Sequence, residues 1–204
     1  MLSKYGAADY VFQFITVTAG VLIALLIDGM VDWKSNRDLV AEARATIQRE
    51  IDGNLKELDG LSRSVASSNA EIAHGLSVAD DLLATGKTTE TSMSLNFNLA
   101  TLDSAGWQSA NRTGALAHMP YDDVREYSEL YALQELFDSQ QRKAVDLVAS
   151  SSALMGSSMT ANQVNKQDVE SLRQQLMLLQ ANQMVTEQLG KQLVASLQKF
   201  RARQ

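Results

Sequence analysis

The chain contains no cysteine, which removes disulfides, thiolate metal sites and thiol nucleophiles. That absence suits either side of a bacterial membrane and leaves the compartment open. A single proline and an aromatic content of only 6% make helix breakers and strand formers both scarce. Excess positive charge is missing as well: 18 Lys and Arg face 24 Asp and Glu, a net charge of -6. Nucleic acid is therefore not an expected partner, because that affinity depends on neutralising phosphates with Lys and Arg. His74 stands three positions after Glu71, the E-x-x-H spacing of di-metal helical proteins, but His118 has no such partner and a second copy is lacking. The G-x-S-x-G, G-x-x-x-x-G-K-[ST] and G-x-G-x-x-G patterns are absent. No enzyme activity, catalytic residue, metal or cofactor is expected. At 204 residues there is room for one domain and an anchor.

What the chain does have is one long greasy run. From Tyr10 it reads YVFQFITVTAGVLIALLI, without a charge to Ile27, and as a helix this stretch covers about 27 Å, close to the thickness of a hydrocarbon core. Tyr10 and Trp33 flank it as an interfacial aromatic pair. A buried core helix would show a polar face, and only Gln13, Thr16 and Thr18 interrupt the field of Val, Leu, Ile and Phe. A cleaved signal peptide would need a basic start and a small-x-small site, whereas only Lys4 precedes the run and Ile27-Asp28-Gly29 follows it. A retained single span over about 10–31 is expected, with residues 1–31 forming tail and membrane helix and 32–204 a helical domain.

At 100° per residue, Gln13, Thr16, Gly20, Ala24 and Asp28 share one arc of the span. This small-or-polar stripe is a candidate packing face for a second membrane helix, equally consistent with the ordinary frequency of small residues in spans. Asp28 raises the question of proton or ion handling, but it sits near Trp33, within reach of headgroup water, and no such role is assigned.

The string Gly20-Val21-Leu22-Ile23-Ala24-Leu25, followed by Asp28, Trp33, Arg37 and the charged stretch Glu42 to Ile51, resembles a large group of uncharacterised bacterial single-span membrane proteins. In that group a G-V-L-I-A-L span runs into a Trp-containing, charge-rich helix and then a soluble helical region. Extra residues at Gly29 to Asp32 depart from the pattern, and a looser similarity places Trp107, Gly114, Leu116, Tyr127 and Tyr131. The resemblance implies an inner-membrane topology and a helical fold, and offers no catalytic residues. Many such proteins start with a basic stretch, implying a domain outside the cytoplasm. Lys34, Arg37, Arg44 and Arg49 after the span argue the other way by the positive-inside count. The side of the domain stays open, with a lean to the extracytoplasmic face.

Beyond Trp33, Val40, Ala43, Ile47, Ile51, Leu55, Leu58, Leu61, Val65, Ile72, Leu76, Leu82 and Leu83 recur mostly at steps of three and four, predicting a long helix. Gly53, Gly60 and Gly75 are expected to bend or break it, and Gly86 to stop it. Lys87 to Asn98 reads as a loop or extended piece, a candidate for specificity. A short helix is predicted over about 101–117, then a longer one starting at Pro120 with Asp122 and Asp123 at its positive end. The Ser-rich stretch from Ser150 to Ser158 is expected to loosen that helix, with a turn near 156–165. A last helix from about Lys166 starts as a heptad-like seam and blurs at Gln183 and Gly190. The fold class is all-α: a transmembrane helix continuing into a coiled-coil-like bundle of three or four helices.

Trp107, Arg112, Tyr121, Tyr127 and Tyr131 are candidate lining for a small-ligand pocket, or core packing with a surface Arg. The favoured function is a membrane-anchored interaction or scaffold protein whose partners are the lipid bilayer and either copies of itself or another membrane protein. The alternative is a membrane-tethered, ligand-sensing bundle without an output domain, its small-molecule ligand unknown.

Overall fold

The computed structural model describes residues 7–87, 95–160 and 165–202, with 7–10 and 156–160 described by backbone alone. Regular structure among the described residues is entirely helical. It comprises α1 (Ala7–Thr85), α2 (Ala105–Arg112), a 3-10 turn (Ala115–His118), α3 (Tyr121–Thr160) and α4 (Lys166–Arg201).

The 79 residues of α1 extend over about 118 Å. Its first part is long and apolar enough to cross a membrane. From Val11 to Val31 no side chain is covered by the rest of the molecule. Burial begins only beyond Ser35, and Ala43, Ile47, Ile51, Leu58, Ile72, Ala79 and Leu82 then form the face turned to the other helices. Of the expected bend or break at Gly53, Gly60 and Gly75, the break does not occur: the helix passes unbroken through all three. The reason is that the buried stripe keeps its helical period across all three glycines, so packing outweighs a propensity loss of about 1 kcal/mol each. It stops where expected: Gly86 adopts φ +69°, and its N–H closes on the Leu82 carbonyl at 2.9 Å.

The segment predicted as one short helix is two pieces. Gly114, at φ +79°, separates α2 from the 3-10 turn, a left-handed conformation that interrupts any regular helix. Pro120 lies just ahead of α3, and its carbonyl accepts the Val124 N–H at 3.2 Å to close the first turn. The serine stretch does not loosen α3, which continues to Thr160; Ser150 returns its hydroxyl to the Asp146 carbonyl, and Ser151 is buried. Within the region expected to turn, residues 156–160 are therefore helical and 161–164 fall outside the described residues. So does most of the piece expected to be irregular, 88–94. Asn165 caps α4 by accepting the Gln167 N–H at 3.1 Å. Asp168 in the first turn and Lys199 and Arg201 in the last complement the helix dipole.

Cross-helix pairs define the packing directions. Arg44 pairs with Asp123 and Asn54 with Gln134, so α1 and α3 run parallel. Asp80 pairs with Arg173 and Asp52 with Arg201, so α4 runs antiparallel to α1. α4 packs along both α1 and α3. The core is thickest where Ile47, Ile51 and Leu58 meet Tyr127, Leu130, Phe137, Leu193 and Leu197, and smaller clusters around Ile72, Leu176 and Val78 continue it away from the apolar end of α1.

Candidate interaction surfaces

The apolar half of α1 presents the first surface. Phe12 is 73% exposed and Gln13, Thr16, Gly20, Ala24 and Asp28 are exposed as well. Within the stripe, Thr16 donates its hydroxyl to the Phe12 carbonyl at 2.9 Å, satisfying that proton inside its own helix. Gly20 has no neighbouring atom within 4 Å of where a Cβ would stand, so the groove it leaves is unfilled. Arg37 lies over the Trp33 ring, 5.1 Å from its centroid, which fixes a cation and an indole together just past the apolar run. The Tyr10 side chain, the other expected interfacial anchor, lies outside the described residues.

The aromatic set divides. Trp107 stacks on Tyr131, centroids 5.2 Å apart and planes 8° from parallel, and approaches Tyr127 at 6.1 Å. Tyr127 stacks in turn on Phe200 of α4 at 5.3 Å. These rings tie α2, α3 and α4 together. Arg112 and Tyr121 do not join them: Arg112 is exposed at the end of α2, and Tyr121 is 79% exposed at the start of α3.

Beneath the stack lies a residue that pattern reading passed over. Glu50, buried on α1, accepts the Tyr131 hydroxyl and the Gly106 backbone N–H, the latter at 2.6 Å. A Cβ on Gly106 would stand 3.0 Å from that carboxylate, so only glycine brings its N–H this close. Burial, reinforced by the bond to Glu50, raises the Tyr131 phenol above its ordinary range, keeping it a donor. Burial likewise raises Tyr127.

Glu50 is one of several polar side chains that hold the irregular chain between α1 and α3. This strap runs back along α1 toward its apolar half. Asn96 donates its N–H and its side-chain amide to Glu71, and its carbonyl accepts from Ser68 at 3.2 Å. Gln141 accepts the Ala100 N–H at 2.8 Å and donates to the same residue's carbonyl at 3.0 Å. Asn54 repeats the device on Asp103, accepting at 2.7 Å and donating at 2.8 Å. Gln134 adds a donation to the Asp103 carbonyl at 3.0 Å. The amides thus supply the pairing that a neighbouring strand would otherwise provide, and at buried Ala100 they do so where water cannot. A signal existed in the sequence: Glu50 and Asn54 fall on the same helical stripe as Ile47, Ile51 and Leu58, polar residues at core positions. Glu71, half of the E-x-x-H pair, is engaged here. No cluster of three or more metal-ligating side chains occurs among the described residues.

The chain matches no family model, no curated protein and no solved structure. The surfaces themselves carry the functional argument.

On α3, a cleft of about 530 Å³ is bordered by Ser104, Trp107, Tyr131, Glu135, Asp138 and Arg142. Burial raises the Asp138 carboxyl, with the Gln141 amide and Arg142 opposing the shift.

The outer face of α4 offers a further surface. Met177, Leu178, Met184 and Val185 are all exposed, Met184 at 68%. The inward face of the same helix buries Leu172, Leu176, Leu179, Leu193 and Leu197. At 100° per residue the exposed stripe stands roughly 160° around the helix from the buried one. Over residues 177–185 α4 is therefore apolar on two opposite sides, and among the described residues only one of them is covered.

Proposed function

We propose that the chain is a membrane-anchored interaction protein that acts by association, with copies of itself or with another membrane protein. Its apolar N-terminal helix sits in the inner membrane and its helical bundle stands in water, with the extracytoplasmic side favoured. The carrying observation is the outer face of α4. Met177 and Met184, like Leu178 and Val185, are seven residues apart, the repeat at which one helix lays a continuous seam against another. Leaving such a seam in water is unfavourable, and a contiguous apolar stripe on a soluble surface marks a contact site. The stripe of Gln13, Thr16, Gly20, Ala24 and Asp28 supports association within the bilayer. The resemblance of the first part of the chain to single-span bacterial proteins supports the same placement.

The absence of native cysteine makes the test direct. Met184→Cys in native membranes, oxidised with copper phenanthroline, is expected to yield a disulfide-linked dimer or a mixed disulfide with one defined membrane protein. Gln180→Cys, on the flank of the helix, is expected to yield much less. If both cysteines react with a maleimide but neither crosslinks, or both crosslink equally, the reading fails.

A further inference from the structure

α2 packs chiefly on α1 and reaches α3 through the Trp107–Tyr131 stack, so α2 and α3 stand apart. The cleft of about 530 Å³ between them owes its room to small side chains, Ser104 at the start of α2 and Ser128 and Ala132 on α3. Its volume falls within the range of about 300–1,000 Å³ typical of small-molecule sites. Glu135, Asp138 and Arg142 follow one another along its wall at steps of three and four, roughly 120° around α3 from the buried Leu130 and Phe137. Trp107 gives one face to Tyr131 and stays half-buried, so part of the indole is open to whatever enters.

The carboxylates of this wall are not matched by the chain. Asp138 is half-buried, and the hydrogen bond it accepts, from the Gln141 amide, is long at 3.3 Å. Neither Asp138 nor Glu135 forms an ion pair among the described residues. Burial raises the Asp138 carboxyl; Gln141 and Arg142 oppose the shift, and Glu135 adds to it. An ionised carboxylate in this position costs the fold stability, and a charge kept at such a cost in a cleft is a physical mark of a binding site. With Glu135 and Asp138 set against Arg142, the lining carries one negative charge in excess. A single positive charge balances it. Two carboxylates accompanied by an Arg do not make the shell of about six to eight oxygens that a hard metal ion takes. A carboxylate beside an indole suits an organic ammonium group, which donates to the one and lies against the negative face of the other.

We propose that this cleft binds a small organic monocation, its ammonium group donating to Asp138 and Glu135 and its apolar or aromatic body lying against Trp107 in the space left by Ser128 and Ala132. The groups it meets are open to solvent: Glu135 and Arg142 are exposed, and Asp138 and Trp107 are half-buried. Arg142 opposes the ligand's charge from the same wall, so its removal tightens binding. The site lies between α2 and α3, apart from the outer face of α4, and does not depend on association between chains.

The test uses the full-length protein carrying Trp33→Phe, which leaves Trp107 as its single tryptophan, in nanodiscs of phosphatidylcholine, whose surface has no net charge. Benzylammonium is the probe, and benzyl alcohol, the same ring without the charge, is its control; both are titrated at constant ionic strength against Trp107 fluorescence. Benzylammonium is expected to change the emission saturably, and benzyl alcohol to need at least about tenfold more. Asp138→Asn is expected to weaken benzylammonium about tenfold or more, and Glu135→Gln, at an exposed position, about two- to fivefold. Arg142→Gln is expected to tighten it about two- to fivefold, a gain that a merely structural role for the wall would not produce. Calorimetric titration of the same variants reads the affinities without tryptophan. Thermal melting followed by circular dichroism shows whether Asp138→Asn, expected to be no less stable than its parent, keeps its fold. The proposal is overturned by the lack of a saturable response to benzylammonium, by an equal response to benzyl alcohol, by affinity that Asp138→Asn leaves unchanged, or by affinity that Arg142→Gln lowers.

Discussion

Replacing Asn54 by Leu tests whether the strap is held by side-chain amides or merely rests on the core. Asn54 is 2% exposed, accepts the Asp103 N–H at 2.7 Å, and donates to the Asp103 carbonyl at 2.8 Å and to Gln134 Oε1 at 3.2 Å. Leucine has the same branched arrangement of four side-chain heavy atoms and is somewhat bulkier, so the change removes bonds without opening a cavity. The Asp103 carbonyl keeps its donor in Gln134, but the Asp103 N–H and Gln134 Oε1 lose the partner seen here. An unmet buried group costs about 1–3 kcal/mol, and the added apolar burial returns part of that, leaving a net loss of about 2–4 kcal/mol. For a domain of this size the melting temperature should fall by roughly 5–15 °C. Asn54→Asp keeps the acceptor but turns a carboxylate toward two oxygens, and is expected to cost at least as much. Thermal unfolding of the full-length protein in nanodiscs reads the stability, and hydrogen exchange at Asp103 reads the strap. The reasoning is refuted if Asn54→Leu costs less than about 0.5 kcal/mol, the size of an ordinary surface substitution, and the Asp103 amide stays protected.

Other substitutions probe other joints. Tyr131→Phe leaves buried Glu50 with one donor fewer and should destabilise by about 1.5–3 kcal/mol in denaturant unfolding, a loss that Glu50→Gln in the same background should partly reverse. Gly114→Ala forces a Cβ into φ +79° and should cost about 1–2 kcal/mol by the same assay, whereas alanine at exposed, helical Gly60 should stabilise slightly. For Asp138 the sign follows from its raised carboxyl. The folded state holds the proton more tightly than the unfolded one, so the contribution is fullest below the ordinary value of 3.8 and declines as pH rises through the raised value. Asp138→Asn should therefore stabilise the protein at neutral pH and lose that advantage in acid, as melting curves across pH would show. Met177→Lys should weaken crosslinking through Met184→Cys while leaving the melting temperature within a degree or two, because the Met177 side chain is exposed.

Residue pattern made the helical class and the greasy start of α1 legible, since periodicity and an uncharged run are properties of the chain alone. Gly86 was legible as punctuation for a similar reason, because the position needs a left-handed backbone. The three glycines inside α1 misled because propensity is local while the stripe that overrides it is set by α4. Ser150 and Ser151 misled in the same way, since a hydroxyl returned to the preceding turn lets Ser150 continue the helix and Ser151 is held there by burial. The strap was illegible as structure because its order comes from amides distant in sequence, Asn54 to Asp103 and Gln141 to Ala100. The outer stripe of α4 was hidden for a simpler reason: Met177 and Leu178 stand beside Leu176 and Leu179 in the sequence, and which of these apolar residues face outward is decided only by the packing against α1 and α3.

The placement of residues 10–31 in lipid is tested most directly by washing membranes from cells expressing the untagged chain with alkaline carbonate, then sedimenting them and weighing the chain by intact mass spectrometry. The expected result is a pelleted protein of about 22.3 kDa that still carries its first residues. Recovery in the supernatant, or in a form shortened by the apolar stretch, would contradict membrane anchoring and the association within the bilayer that depends on it.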